Sequence, residues 1–139
     1  MTDSHPLDRF PPELGARPAE RRRVITQAVI SAYAEASGDH NPIHLDLDYA
    51  RRSGLPATIA HGLLTLGTAC AGIESWAGNE GWVARVFCRF SAPVPAGEGI
   101  TTTALVSAVE EDSAIVDLTV LTSTGERALT KAKVELRAS

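Results

Sequence analysis

Cysteine is scarce in this chain. Cys70 and Cys88 are its only two, too few for a disulfide framework, and both sit in apolar surroundings where a thiol serves as a small hydrophobe. Neither a disulfide nor a metal pair is expected of them, as fits the reducing cytosol. No stretch approaches the ~20 apolar residues of a membrane span. The segment from Met1 to Phe10, broken by Asp3, Pro6 and Asp8, has no apolar core of signal-peptide length. A cytoplasmic protein without a membrane partner is therefore expected. Positive charge is also in deficit: the net charge is -4 at pH 7 and the pI is near 5.5. Its one basic cluster, Arg21-Arg22-Arg23, is shorter than the ~5–6 like charges that mark an interaction tail, and Glu20 offsets it. Nucleic acid is accordingly not an expected partner. Internal repeats and low-complexity tracts are missing too.

What remains is globular in composition, with 44% hydrophobic and 22% charged residues in a chain of 139. A chain of this length buries roughly 68% of its unfolded surface without staples, which suits one domain. Residues 1–22 hold four of the eight prolines and little periodicity, so they are expected to form an extended N-terminal arm, with residues 23–139 as the single domain. From Thr26, an N-cap residue type, Val29, Ile30, Tyr33 and Ala34 follow helical spacing to a stop at Gly38. A short helical turn is expected over Asp48 to Arg52, and a brief strand-like stretch over Ala57 to Ala60. After His61-Gly62, Leu63, Leu66, Cys70, Ile73 and Trp76 recur at helical spacing while Leu64, Ala69 and Ala71 make the other faces apolar, as in a buried helix.

Beyond Gly78-Asn79-Glu80-Gly81 the period changes to two. Four strand-like runs follow, Trp82 to Phe90, Ile100 to Val109, Ala114 to Ser123 and Ala128 to Leu136, and their short connections predict antiparallel meanders. Alternation in the last two puts Ala114, Val116, Leu118 and Val120 on one face and sets Lys131, Lys133 and Glu135 opposite Ala132, Val134 and Leu136. One covered face and one buried helix give the fold class: α+β, a curved antiparallel sheet wrapped around a helix.

The densest chemistry lies between Ser37 and Ala50, where two histidines, an asparagine and three aspartates fall between Asp39 and Asp48. Pro42 restricts its own φ and biases Asn41 toward an extended conformation, so a carboxylate and an imidazole can be held at a set distance. General acid/base chemistry requires that geometry first. Gly62 adds a second feature, because a residue in the first turn of a helix has an N–H with no partner in the helix and the positive end of the dipole behind it.

The run Tyr33-Ala34 through Ser37-Gly38-Asp39-His40-Asn41-Pro42-Ile43-His44-Leu45-Asp46, followed by Ala60-His61-Gly62-Leu63-Leu64-Thr65 and by Arg89-Phe90-Ser91-Ala92-Pro93-Val94, resembles the signature of the MaoC-like hydratase/dehydratase family. Its members include (R)-specific enoyl-CoA hydratases and (3R)-hydroxyacyl-carrier-protein dehydratases. The resemblance implies a hot-dog fold with a long central helix. It implies a lyase that hydrates trans-2-enoyl thioesters, or dehydrates (3R)-3-hydroxyacyl thioesters, of CoA or acyl-carrier protein. Asp39 and His44 match the family's catalytic pair, which grips the water and moves protons, and the Gly62 N–H matches the donor to the thioester oxygen. Asn41, His61 and Trp76 are the candidates for holding the substrate or the loop around it. No cofactor and no metal are implied, and the partner is a second copy or a related chain.

Other readings stay open at this level. Asp39 could be only a helix-terminal cap, and His44 a structural histidine. His40 is read as solvated. A metal site of His40, His44 and Asp46 is conceivable by residue type, but no second His/Cys cluster completes a coordination shell. Ser37 and Thr65 lack a nucleophile-elbow context. His61 orients the loop or fills space near Gly62, and Trp76 is either core packing or a wall for an acyl tail, a role Trp82 could share. Asp46 and Asp48 suit caps of the following turn. Arg51, Arg52, Arg85 and Arg89 are candidate contacts for CoA phosphates. In function, an acyl-CoA thioesterase and a subunit that needs a partner chain are the alternatives.

Overall fold

Capping residues set the boundaries of the first three helices in the computed structural model, which describes residues 5–139. A short strand, β1 (Arg21–Val24), leads into α1 (Gln27–Ser37). Thr26 accepts the Val29 N–H through Oγ1, and Gly38 ends the helix at φ 80°, a left-handed conformation that costs glycine little. Ile30 and Ala34 are its buried face. Next comes α2 (Pro42–Leu45), with Asn41 as N-cap and Pro42 in the first turn, where a missing N–H costs nothing. The Asp46 carboxylate then caps α3 (Leu47–Arg52) by accepting from Tyr49 N. The helical turn expected over Asp48 to Arg52 is α3, and α2 adds a turn before it that was not expected.

The long helix α4 (Gly62–Ala77) buries Leu66, Ala69, Cys70, Ile73 and Trp76. Strands β2 (Gly81–Phe90), β3 (Gly99–Val109), β4 (Ser113–Leu121) and β5 (Arg127–Ala138) complete the chain. With β1 they form one antiparallel sheet in the order β1-β3-β4-β5-β2. The meander expectation holds for β3-β4-β5. It fails for β2, which crosses over to pair with β5 instead of its sequence neighbour β3. This leaves β2 at an edge of the sheet.

Val106, Val116, Val120, Val134 and Leu136 point from the sheet into a core shared with Leu66, Ala69 and Ile73 of α4. Burying one such side chain contributes roughly 1.5–3 kcal/mol. In β4 the alternation is strict, whereas β5 takes an extra residue near Lys131, the one non-glycine at positive φ (52°) among the described residues. That bulge lets Leu129 and Ala132, three apart, both face inward.

The N-terminal arm lies against the body. Met1–Ser4 fall outside the described residues, but Leu7, Phe10 and Ala16 pack on the core, and Arg21 and Arg22, placed in the arm by composition, pair with Thr102 and Thr101. Cys70 and Cys88 carry free thiols. Burial pushes the Cys70 thiol up to about 11, with Glu74 adding to the shift. No helix among the described residues is long and apolar enough to cross a membrane.

Candidate active site

Asp39 follows the left-handed Gly38 that ends α1, so its side chain leaves the helix terminus where the chain turns. Its Oδ1 accepts the Asn41 N–H at 3.2 Å, and Asn41 Oδ1 accepts the Ile43 N–H at 3.1 Å to start α2. Asn41 thus shapes the loop from an exposed position. On α2, His44 is buried, with its Nδ1 2.7 Å from the Ile59 carbonyl. A carbonyl oxygen only accepts, so Nδ1 carries the proton and Nε2 of the neutral ring presents a lone pair. That Nε2 lies 3.9 Å from Asp39 Oδ2.

A relay that the sequence did not reveal holds α2 in place. Gln27 donates from Nε2 to the His44 carbonyl at 2.9 Å, and Thr58 Oγ1 donates to Gln27 Oε1 at 2.6 Å. Through it α1, α2 and the segment before α4 brace one another. Nothing in the chain's local pattern marks Gln27 or Thr58, because their partners are 17 and 31 residues away.

His61 precedes α4 and is almost fully buried. Its Nε2 donates to the Asp39 backbone carbonyl at 3.0 Å, its ring stacks on His44 with centroids 3.8 Å apart at 23°, and Tyr33 closes on it at 4.7 Å. The proton on Nε2 leaves Nδ1 a buried acceptor without a hydrogen-bond partner. Gly62 opens α4, and the Phe90 ring packs directly on it: a Cβ at position 62 would lie 2.8 Å from Phe90 Cδ1. Tyr33, Asp39, His44, His61, Gly62 and Phe90 line a cavity of about 460 Å³. A second cavity of about 280 Å³, lined by Leu55, Val94 and Leu129, shares Gly62 and Phe90 with the first.

The structure therefore brings Asp39, His44, His61 and Gly62 together. It does not bring Trp76 to them. Trp76 is a buried residue near the far end of α4, roughly 21 Å along the helix from Gly62 at 1.5 Å per residue, and the arm covers it through Leu7 N–H to the Trp76 carbonyl. Its core-packing reading fits that place. Tyr33 and Phe90 enter as lining residues that sequence reasoning quoted without assigning them a role.

The metal trio of His40, His44 and Asp46 is not assembled, since His40 is exposed and bonded to Glu35 and Asp46 caps α3. Asp39, His44 and His61 do offer donor atoms within 4.8 Å of one another. The His61 Nε2 proton is already given to a carbonyl, and bonds of about 2 Å to a shared cation would require the trio to contract. The arrangement suits proton handling better.

Chemically, a polar group at 3.9 Å from another is beyond direct hydrogen bonding, yet one water fits against both. A lone pair on His44 Nε2 and a carboxylate face that point, and Gly62, whose N–H in the first turn of α4 has no helical partner, lines the same cavity.

Comparison with known proteins identifies the family and the fold. The MaoC like domain model matches residues 10–127. The 3-hydroxyacyl-thioester dehydratase X of Mycobacterium tuberculosis is 41% identical over 78 residues, which is 55% of this chain and 27% of that protein, so the chain spans about a quarter of its length. The (R)-specific enoyl-CoA hydratase of Rhodospirillum rubrum is 30% identical over 99 residues, covering 70% of this chain and 69% of that one. Among solved structures, the (R)-hydratase from A. caviae involved in PHA biosynthesis superposes with a TM-score of 0.85 at 25% identity, over 94% of this chain and 99% of the other. The sheet curled on α4 is the hot-dog architecture, and the chain belongs to the MaoC-like domain family.

Proposed function

We propose that this protein is a hydratase/dehydratase of acyl thioesters, adding water to trans-2-enoyl thioesters of CoA or acyl-carrier protein and reversing the step on (3R)-3-hydroxyacyl thioesters. The observation that carries the reading is the 3.9 Å separation of His44 Nε2 and Asp39 Oδ2, at which one water beside them can hydrogen-bond to both, in one cavity with the amino end of α4. In hydration the water oxygen bonds to C3 of the substrate while a water proton passes to His44 Nε2. The π pair of the C2–C3 double bond shifts onto the thioester oxygen, which the Gly62 N–H holds. Collapse of that enolate takes a proton at C2, delivered from the Asp39–His44 pair. Proton transfer by such a pair contributes about 10²–10⁴-fold and each oxyanion donor about 10²–10³-fold.

Relatives named as a 3-hydroxyacyl-thioester dehydratase and an (R)-specific enoyl-CoA hydratase support the substrate class. A cytoplasmic setting, which suits two free thiols, is part of the same proposal. The partner belongs to it too: a second copy of the chain, or a related chain, pairs with edge strand β2, where Trp82, Val86, Phe87 and Phe90 are exposed. Exposed apolar edges are otherwise aggregation sites.

The test is loss of the ultraviolet absorbance of crotonyl-CoA and longer enoyl-CoAs on incubation with the folded protein. Absorbance that persists at every chain length and with both carriers counts decisively against a self-sufficient hydratase. Free-thiol release instead identifies a thioesterase, and activity that emerges only on adding a related chain identifies a partner-dependent subunit.

A further inference from the structure

Among the described residues, each helix but one is closed at its amino end by a side chain. Thr26 caps α1, Asn41 caps α2 and Asp46 caps α3, whereas α4, the longest helix among the described residues, has no side-chain cap. The first helical bond of α4 runs from Thr65 N to the His61 carbonyl, so the amides of Gly62, Leu63 and Leu64 precede it without helical partners. Gly62 and Leu63 line the cavity that holds Asp39 and His44. A serine, threonine, asparagine or aspartate at position 61 would lay its oxygen on the Leu63 or Leu64 amide, placing a partial negative charge beside the Gly62 amide, against the thioester oxygen that has to arrive there.

The residue found there turns its imidazole the other way. His61 donates to the Asp39 carbonyl and lies flat against His44, so one side chain fixes the backbone that carries the carboxylate and the plane of the ring that faces it. It spans 22 residues of sequence to do so. The arrangement leaves its Nδ1 acceptor buried without a hydrogen bond.

We propose that His61 is a positioning residue for the hydration site: it anchors Asp39, backs the ring of His44, and by not capping α4 keeps that helix's amino end open to the thioester oxygen. The inference rests on the thioester reading of the site. It assigns His61 an action through Asp39, His44 and the helix end, without contact to the substrate.

Three variants separate this from a structural role, with kcat and KM measured on crotonyl-CoA and Tm measured alongside. His61→Gln keeps an N–H donor at a similar reach, and its kcat stays within about threefold of the original. His61→Ala loses the anchor, and kcat falls about 10–100-fold, the scale of an ångström's misplacement, while KM moves by less than about threefold. His61→Ser caps α4, so its Tm exceeds that of His61→Ala while its kcat/KM drops below that of His61→Ala by at least about threefold, as expected when a capping oxygen on the neighbouring amide repels the oxyanion held at Gly62. The proposal is overturned if Gln is as slow as Ala, or if Ser gains stability with no further loss of kcat/KM. Should His61→Ala not fold, the Gln and Ser variants decide by themselves. If the original protein hydrates no enoyl thioester, the functional reading fails, and NMR of the imidazole N–H protons decides the positioning separately. Faster exchange of the His44 Nδ1–H in His61→Ser but not in His61→Gln supports it, and equal exchange in both overturns it.

Discussion

Asp39 Oδ2 and His44 Nε2 stand 3.9 Å apart, with the carboxylate about half exposed and the imidazole almost wholly buried. The asymmetry divides the labour. Carbonyl contact fixes the His44 tautomer from behind, so its free nitrogen can only face forward, while Asp39 stays open to incoming solvent and substrate. Asp39→Asn keeps an Oδ1 for the Asn41 amide and removes only the charge. Its kcat for enoyl-CoA hydration is expected to fall at least about 100-fold with little change in Tm, and His44→Gln to fall similarly. Steady-state kinetics with a thermal melt on each variant checks this, and near-normal turnover in either would sink the paired role.

Gly62→Ala tests the helix end from the other side. Alanine favours a helix over glycine, so backbone preference alone predicts a neutral or stabilising change. The new methyl, however, would lie 2.8 Å from Phe90 Cδ1. Because Phe90 is exposed at 55%, its ring can swing aside, and the expected result is a folded protein whose kcat/KM is lower by about tenfold or more, within the range for an obstructed oxyanion donor. Adding Phe90→Ala relieves the clash and restores Tm while leaving most of the kinetic loss. A Gly62→Ala protein with full activity would remove the Gly62 amide from the mechanism.

Legibility in the sequence tracked how local each cause was. Thr26, Gly38 and the apolar spacing of α1 and α4 act within a few residues, so those helices were readable, as were β3, β4 and β5 from alternation. Of the two turns in Pro42–Arg52, the second was expected over Asp48 to Arg52, while the first had a signal that was passed over: Asn41 followed by Pro42 is an N-cap with proline at the first helical position. β1 was hidden because Arg21-Arg22-Arg23-Val24 shows no alternation and is mostly exposed. The crossover that puts β2 beside β5 was hidden because ladder partners are chosen by packing across the sheet. In the candidate site, Asp39, His44 and Gly62 were singled out by the resemblance and the structure brings them to one cavity, whereas Gln27 and Thr58 act over long sequence separations and left no local mark.

His40, the neighbour of the proposed acid/base pair, makes a control. Its Nε2 lies 3.0 Å from Glu35 Oε1, and that hydrogen bond, followed by one from Gly38, raises its pKa above the usual 6.5. Since the folded value is raised, whatever the pair contributes to stability is present below pH 6.5 and is lost as pH rises through the folded value. NMR titration should place the His40 midpoint above 6.5 and return it toward 6.5 in Glu35→Gln. His40→Ala is expected to leave hydration unchanged, and a large loss of kcat there would redraw the active site.

Edge strand β2 predicts an assembly. Val86 and Phe87 are 41% and 49% exposed on a strand whose ladder partner is β5, and a second chain laid antiparallel along β2 would satisfy its free backbone groups while covering these side chains. Light scattering of the purified protein should give twice the mass of the chain. Val86→Lys should lower the mass to that of one chain, and hydration should fall with it if the assembled edge supports the nearby Phe90. An unchanged dimer would move the interface elsewhere.

The arm makes the last test, because it acts at the end of α4 opposite the proposed chemistry. Leu7 donates its N–H to the Trp76 carbonyl at 2.7 Å, and Gly15 and Ala16 exchange hydrogen bonds with Val106 at 2.9 Å, extending the cover of β3 beyond β1. Phe10 rests on Gly81, so close that a Cβ there would lie 3.2 Å from its ring. This is core packing by a segment that composition marks only as an extended arm. Phe10 is half-buried, so Phe10→Ala removes a fraction of a full side-chain burial, about 1–2 kcal/mol, or roughly 2–6 °C in Tm for a chain of this size. The loss falls near Trp76, far along α4 from Gly62, and kcat per folded molecule should therefore hold. Circular-dichroism melts with kinetics at 20 °C distinguish the outcomes: a variant that melts normally denies the arm a packing role, and one that keeps its Tm but loses kcat would couple the arm to the catalytic cavity.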